Sequence, residues 1–204
     1  MHASAKPFLT VLLAWLMLLL APLALAQVQP DQMDRGPAQL LVQGPVQPGE
    51  RVELGLRFRP DPGWHGYWSN PGDAGQGMVL EWQLPPGWQA GDPRYPMPQL
   101  LLISGLMNHV FEGEHAVLVP LAVPSDAVAG RSYPVAVFAR WLSCSDRLCV
   151  PQWATLQASV TVGADGTSDP RFDGWRAALV PQLDRPAQFA LTPAALRIAI
   201  PLPA

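Results

Sequence analysis

Cysteine is scarce in this chain: 204 residues contain two, Cys144 and Cys149, with four residues between them. Two thiols without a repeated CxxC motif do not complete a four-ligand zinc site. Basic residues do not predominate either, since 13 Lys and Arg face 16 Asp and Glu, which argues against a nucleic-acid partner. After residue 26, no apolar run is long enough to span a bilayer. These shortages leave the cysteine pair as the main chemical feature of the chain.

Residues 1–26 have the pattern of a secretory signal peptide. Lys6 provides a basic start, residues 8–20 are almost wholly apolar, and Ala24-Leu25-Ala26 fits the cleavage rule. An uncleaved membrane anchor is the alternative, although the apolar run is short and Pro22 interrupts it. Export predicts an oxidising compartment, in which a cysteine pair can form a disulfide.

The segment 27–163 has the composition of strands joined by turns. The whole chain has 24 prolines and 17 glycines without a repeat, and in 51–58 apolar residues alternate with polar or small ones. We expect strands at 38–42, 51–58, 64–68, 78–84, 99–104, 115–123, 133–142 and 153–162. Strands this short and closely spaced predict an all-β, immunoglobulin-like antiparallel sandwich, with a barrel as the alternative.

The pattern changes after residue 163. Residues 164–185 combine a linker with a helix to about residue 182, because Phe172, Trp175, Leu179 and Leu183 recur at helical spacing. Residues 186–204 begin a further β segment with strands at 188–191 and 196–200. Two strands do not form an independent core. They either extend the existing sheet or mark this chain as a fragment of a longer protein.

The cysteines lie between two predicted strands, so residues 145–148 would form a hairpin loop. Cys144 and Cys149 would then face each other within disulfide distance. Two roles remain open for this pair: a reversible redox disulfide and a structural staple. A ring of about six residues stabilises by only about 2 kcal/mol, which weakens the staple. Arg140 and Arg147 favour the thiolate form of the cysteines and Asp146 opposes it, so we predict no net shift in the pKa of the thiols.

Two further stretches stand out. Residues 64–73 place Trp64, Tyr67 and Trp68 beside a turn, and these aromatics are either core residues or the lining of a groove. Residues 105–114 read as a glycine-bounded loop with apolar Val110 and Phe111 at its centre. Such a loop either covers a site or folds onto its own core.

Together these motifs resemble one family. Residues 63–75, Leu106-Met107-Asn108 with Phe111-Glu112-Gly113-Glu114, and Trp141-Leu142-Ser143-Cys144 with Cys149-Val150-Pro151 are similar to the N-terminal periplasmic domain of the thiol:disulfide interchange protein DsbD, especially its ScsB-like branch. The resemblance covers about 39–162. Compared with a well-known member of this family, the chain has one residue fewer between its cysteines, and its 105–114 segment is less acidic.

The resemblance implies a function. Cys144 and Cys149 match the family's redox pair, with Cys149 binding the substrate and Cys144 resolving the mixed disulfide. Phe111, or its neighbour Val110, matches a cap that shields the cysteines, and the remaining predicted border residues are Tyr67, Trp68, His109 and Trp141. The implied protein-disulfide reductase chemistry needs no cofactor. It would take electrons from a membrane donor domain, in the same or a separate chain, and pass them to periplasmic thioredoxin-like proteins, including those of cytochrome c biogenesis.

A competing interpretation is a secreted binding module with an inert disulfide. The thiols together with soft side chains would then bind Cu(I). The candidate ligands are His65, His109, His115, Met97 and Met107.

Overall fold

The computed structural model describes residues 34–163, 165–181 and 186–200. The predicted signal peptide, 1–26, lies outside the described residues. The strands are β1 (Ala38–Val42), β2 (Arg51–Phe58), β3 (Gly66–Gly72), β4 (Val79–Gln83), β5 (Gln89–Ala90), β6 (Gln99–Ile103), β7 (Leu106–Phe111), β8 (His115–Ala122), β9 (Ser132–Cys144), β10 (Cys149–Thr161), β11 (Gln188–Thr192) and β12 (Ala195–Ala199). One helix of the described part, α1, spans Arg171–Ala177.

Two antiparallel sheets form an immunoglobulin-like sandwich, as predicted. One has the strand order β1-β2-β8-β5 and the other β10-β9-β4. Alternate residues of β2, β8, β9 and β10 meet between them, including Leu54, Val119, Val137 and Val160, all fully buried. Apolar alternation places every second side chain in this core because successive side chains of a strand point to opposite faces.

A third sheet, β3-β7-β6, lies beside the sandwich and carries the residues around the cysteines. It joins the sandwich through a bridge between His65 and Cys144, the last residue of β9. The pairing of β3 with β7 is interrupted by a bulge between Tyr67 and Gly72. This small sheet therefore decides what surrounds the disulfide.

The expectation that 105–114 is a loop was wrong, because most of it is strand β7. β6 turns into β7 through Ser104 and Gly105, whose φ angles are 50° and 84°. Positive φ at both central residues belongs to the two-residue hairpin turn that matches strand twist. β7 then pairs with β6 on one side and β3 on the other. The glycine marks a tight turn rather than the edge of a loop.

Helix α1 packs against the outer face of the sandwich. Phe172 is fully buried, and its ring and that of Trp175 approach the backbone of Gly55 in β2. The helix ends at Ala177, short of the predicted residue 182. The Met97 amide donates to the Ala178 carbonyl at 3.1 Å. This lateral pairing competes with further helical hydrogen bonds and explains the early end.

The predicted C-terminal strands exist as β11 and β12, which pair with each other. Phe189 faces Ile198 and Leu191 faces Leu196, so four apolar side chains share one face, and all four are exposed. Within the residues described, no helix is long and apolar enough to cross a membrane.

Candidate functional site

The two cysteines form a disulfide at the neck of the β9–β10 hairpin. The register places Cys144 directly opposite Cys149, with their Cα atoms 4.0 Å apart. Residues 145–148 close the loop, in which the Ser145 amide donates to the Leu148 carbonyl at 2.8 Å. The Leu148 amide in turn donates to the Ser145 hydroxyl at 3.1 Å. The predicted loop and cysteine pairing are therefore confirmed.

The backbone hydrogen bonds of Cys144 determine which kind of pair it forms with Cys149. Its amide donates to the His65 carbonyl at 2.9 Å, and its carbonyl accepts from the His65 amide at 2.8 Å. Both hydrogen-bonding groups thus point away from β10. Cys144 and Cys149 are consequently a non-hydrogen-bonded antiparallel pair, the kind in which opposed side chains are closest.

The two cysteines differ sharply in solvent exposure. Cys144 is 1% exposed, whereas Cys149, at the start of β10, is exposed. A thiolate arriving from solvent therefore meets the Cys149 sulfur first. Attack there makes Cys144 the leaving group, held inside the protein.

Cys144 is buried by a small apolar cluster. Tyr67 of β3 and Val110 of β7 pack with it, and Leu101 and Leu142 border the group. Tyr67 and Val110 are directly paired in the β3–β7 register, so their side chains share one face. These are two of the predicted border residues, and the structure brings both to the cysteines.

His65 is the neighbour of Cys144 that sequence reasoning missed as a site residue, having weighed it only as a copper ligand. It is 3% exposed, and its Nε2 lies 3.4 Å from the Tyr67 hydroxyl. Burial lowers the pKa of His65, against an opposing effect of the Glu112 carboxylate, and burial raises the pKa of Tyr67. The i, i+2 spacing of His65 and Tyr67 in a strand was the available signal.

Phe111 lies elsewhere than predicted. It pairs with Gly66, one residue from both His65 and Tyr67, so its side chain lies on the opposite face from Val110. There it is 5% exposed and stacks on His115, with ring centroids 4.3 Å apart. The structure thus corrects the expected contact of Phe111 with the disulfide: Val110 covers Cys144 instead. The error followed from reading a strand as a loop, because in a strand the register selects the face.

Trp68 and His109 also lie on the face away from Cys144. Their rings meet edge to face with centroids 5.6 Å apart. His109 Nδ1 lies 2.8 Å from the Asn70 carbonyl, which ties β7 to the bulge in β3. Asp73 completes this tie, because its amide donates to the Met107 carbonyl and its carboxylate accepts from the Met107 amide, both at 2.8 Å. The polar end of the 64–73 stretch is therefore a structural clamp.

Trp141 lies on the sandwich side of β9 rather than beside the sulfurs. It is partly buried, packs against the main core, and meets Phe58 edge to face at 5.2 Å. Its position three residues before Cys144 places it on the opposite face of the same strand. Of the six predicted border residues, the structure gathers Tyr67 and Val110 around Cys144.

The cations near the cysteines have acidic partners. Arg140 contacts Glu81 at 2.6 Å, and Arg147 lies 3.7 Å from Asp146. Both side chains of the Arg147 pair are exposed, so solvent screens this interaction strongly. Each of the two arginines considered from the sequence thus has an acidic partner.

The three histidines among the candidate copper ligands do not come together in one site. His109 contacts the Asn70 carbonyl, His115 the Gly113 carbonyl, and His65 the Tyr67 hydroxyl. Among the described residues, no group of three or more His, Cys, Asp or Glu side chains is positioned to hold a metal ion.

Known proteins share the fold and the cysteine-bearing region described above. The family model described as "Thiol:disulfide interchange protein DsbD, N-terminal" matches residues 37–161. The N-terminal periplasmic domain of ScsB from Proteus mirabilis is similar in structure, with a TM-score of 0.55 and 16% sequence identity. That match covers 81% of this chain and 63% of the ScsB domain, so this chain spans less than two thirds of that relative.

The reduced N-terminal domain of DsbD from Neisseria meningitidis matches more weakly, with a TM-score of 0.39 and 15% identity over 62% of this chain and 86% of that one. No curated protein matches the chain. The family model covers the sandwich, the third sheet and both cysteines. The chain therefore belongs to the family of the N-terminal domain of the thiol:disulfide interchange protein DsbD.

Proposed function

We propose that this chain is a periplasmic thiol–disulfide exchange module that relays electrons through Cys144 and Cys149 to thioredoxin-like proteins. The observation that carries the proposal is the unequal exposure of the two cysteines, one at the surface and one 1% exposed. A purely structural bridge has no need of such asymmetry. Membership of the DsbD N-terminal family supports the same chemistry.

The exchange runs through a mixed disulfide. In the reduced module the Cys149 thiolate attacks one sulfur of the partner's disulfide, forming a Cys149–partner bond and releasing the other partner sulfur as a thiolate. The Cys144 thiolate then attacks the Cys149 sulfur and displaces the remaining partner sulfur. Two electrons pass to the partner, and the Cys144–Cys149 disulfide is restored. A membrane donor domain, in this or a separate chain, would reduce the module again.

The geometry supports this division of labour. Cys149 is the sulfur that a docked protein can reach, whereas Tyr67 and Val110 keep Cys144 from external disulfides. Cys144 nevertheless lies directly opposite Cys149, with Cα atoms 4.0 Å apart, so it needs no large motion to resolve the intermediate. Val110 and Tyr67 thus take the shielding role that the family resemblance gave to Phe111 or Val110.

Two matched variants test the proposal. Reduced Cys144→Ala should trap, through Cys149, a thioredoxin-like protein whose second cysteine has been replaced and whose first cysteine carries an aromatic disulfide, because the aromatic thiolate then departs as the leaving group. Cys149→Ala should trap far less, because its remaining thiol is buried. Nonreducing gels and mass spectrometry measure both adducts. Equal trapping by the two variants would contradict the assigned roles.

A redox titration of the native disulfide addresses the structural alternative. An exchange module should equilibrate with thiol buffers at a potential well above about −300 mV, the region of inert structural disulfides. A disulfide that resists reduction, or a Cys144→Ala/Cys149→Ala double variant that relays electrons as well as the parent, would remove the exchange function.

A further inference from the structure

The surroundings of Cys144 raise a problem for its reduced form. A thiol must ionise before it can attack, yet Cys144 is 1% exposed and burial disfavours the thiolate. Water has little access to remove the proton. A neighbouring base would solve both difficulties, because the thiolate would form together with a cation and no net charge would be buried.

His65 is placed to be that base. It is hydrogen-bonded to Cys144 through both backbone groups, in a bridge that sets the two residues directly opposite each other. Opposed residues of an antiparallel pair have Cβ atoms about 4.5–5.5 Å apart on the same face. The imidazole is 3% exposed, so solvent does not separate it from the thiol.

Within the described part of the chain, titratable groups reach His65 from β3, from the end of β7 and from β9. Tyr67 of β3 lies 3.4 Å from Nε2, Glu112 follows β7 and favours the imidazolium, and Cys144 and Cys149 come from β9 and β10. Burial lowers the pKa of His65 and so keeps the ring neutral, which is the form that accepts a proton. In the tautomer that donates Nε2–H to the Tyr67 hydroxyl, Nδ1 carries the free lone pair.

We propose that His65 accepts the proton of the Cys144 thiol when Cys144 resolves the mixed disulfide, an inference that rests on the proposed exchange function. The S–H proton moves to the imidazole, and the Cys144 sulfur attacks Cys149. The Cys149–partner bond breaks, and the partner leaves as a thiolate. In the reverse direction, the imidazolium returns the proton to Cys144 as that sulfur is displaced.

An aromatic disulfide with a coloured thiolate product separates the two steps. The reduced protein, mixed with an equal amount of reagent, should release colour twice. The first phase reports attack by Cys149 and depends on reagent concentration. The second reports resolution by Cys144 and does not.

The informative variant is His65→Gln, with His115→Gln as a matched control that removes a histidine from β8, in the sandwich sheet β1-β2-β8-β5. Near pH 6.5, His65→Gln should slow the second phase by about 10- to 100-fold and leave the first nearly unchanged. Toward about pH 9.5 the deficit should shrink, because hydroxide then ionises the thiol without the imidazole. His115→Gln should behave as the parent in both phases.

The outcomes are distinct. If the parent releases no colour in either phase, the exchange function itself fails. If the parent shows both phases but His65→Gln is normal, or is slowed equally at every pH, only the role of His65 is overturned. Should His65→Gln fail to fold, NMR titration of the parent decides. The imidazole must titrate at a higher pH in the reduced protein than in the oxidised protein, and identical titrations would refute the proposal.

Discussion

The seating of Tyr67 on Cys144 depends on a glycine, and replacing that glycine gives the sharpest test of the site. Gly75 follows the 64–73 stretch and has a φ of 88°. A Cβ at this position would lie 2.2 Å from Cε1 of Tyr67, with Cζ at 2.4 Å and Cδ1 at 2.5 Å. The Tyr67 ring thus packs directly on the backbone of Gly75, and Gly75→Ala should push the ring away.

The expected loss of stability follows from two costs. Nonbonded carbon atoms rest about 3.5–4.0 Å apart, so the ring must move by more than about 1 Å, and such overpacking costs about 1–3 kcal/mol. Alanine in the left-handed region adds about 1–2 kcal/mol. We expect the free energy of unfolding to fall by about 2–5 kcal/mol. Gly63→Ala should lose only the backbone cost, because its φ is 79° and no atom lies within 4 Å of the added Cβ.

Urea denaturation of the oxidised proteins measures the stability difference between the two variants. Alkylation in a Cys149→Ser background measures the consequence for the site. Displacement of Tyr67 should expose the Cys144 thiol, so Gly75→Ala should speed its modification and Gly63→Ala should not. Equal destabilisation by the two variants, with Cys144 equally protected, would refute the idea that Tyr67 is held on Cys144 by the Gly75 backbone.

Three further predictions concern neighbouring residues. Burial lowers the pKa of His115 from 6.5 to about 4, so protonation favours the unfolded chain. The free energy of unfolding should therefore decrease as the pH is lowered from about 6.5 to about 4, and it should decrease less steeply in His115→Gln. Phe111→Ala should cost about 3–5 kcal/mol of unfolding free energy in urea melts without exposing Cys144. Val110→Ala should cost about 1–3 kcal/mol and speed the alkylation of Cys144. Faster alkylation in Phe111→Ala and not in Val110→Ala would show that Phe111 is the cap. Asp73→Ala should cost about 1–2 kcal/mol by removing the carboxylate that accepts a β7 amide, and unchanged stability would show that the clamp is dispensable.

The alternation of apolar residues was sufficient to predict the sandwich. In β2, every second residue from Val52 to Phe58 is apolar and buried, because a strand presents alternate side chains to one face. The cysteine hairpin could also be predicted, because it depends only on neighbouring residues. When two strands joined by a short loop pair with each other, the residues at the two ends of the loop must face each other. Cys144 and Cys149 therefore met as expected.

The surroundings of the disulfide depended on contacts between distant segments. His65 and Val110 lie far from Cys144 in sequence, and only the bridge to β9 and the β3–β7 register bring them to it. A strand has two faces, and shifting the register by one residue exchanges them. The sequence of β7 alone does not say whether Val110 or Phe111 faces the cysteines. The pairing of Tyr67 with Val110 decided it, because only tertiary structure sets which strand lies beside which.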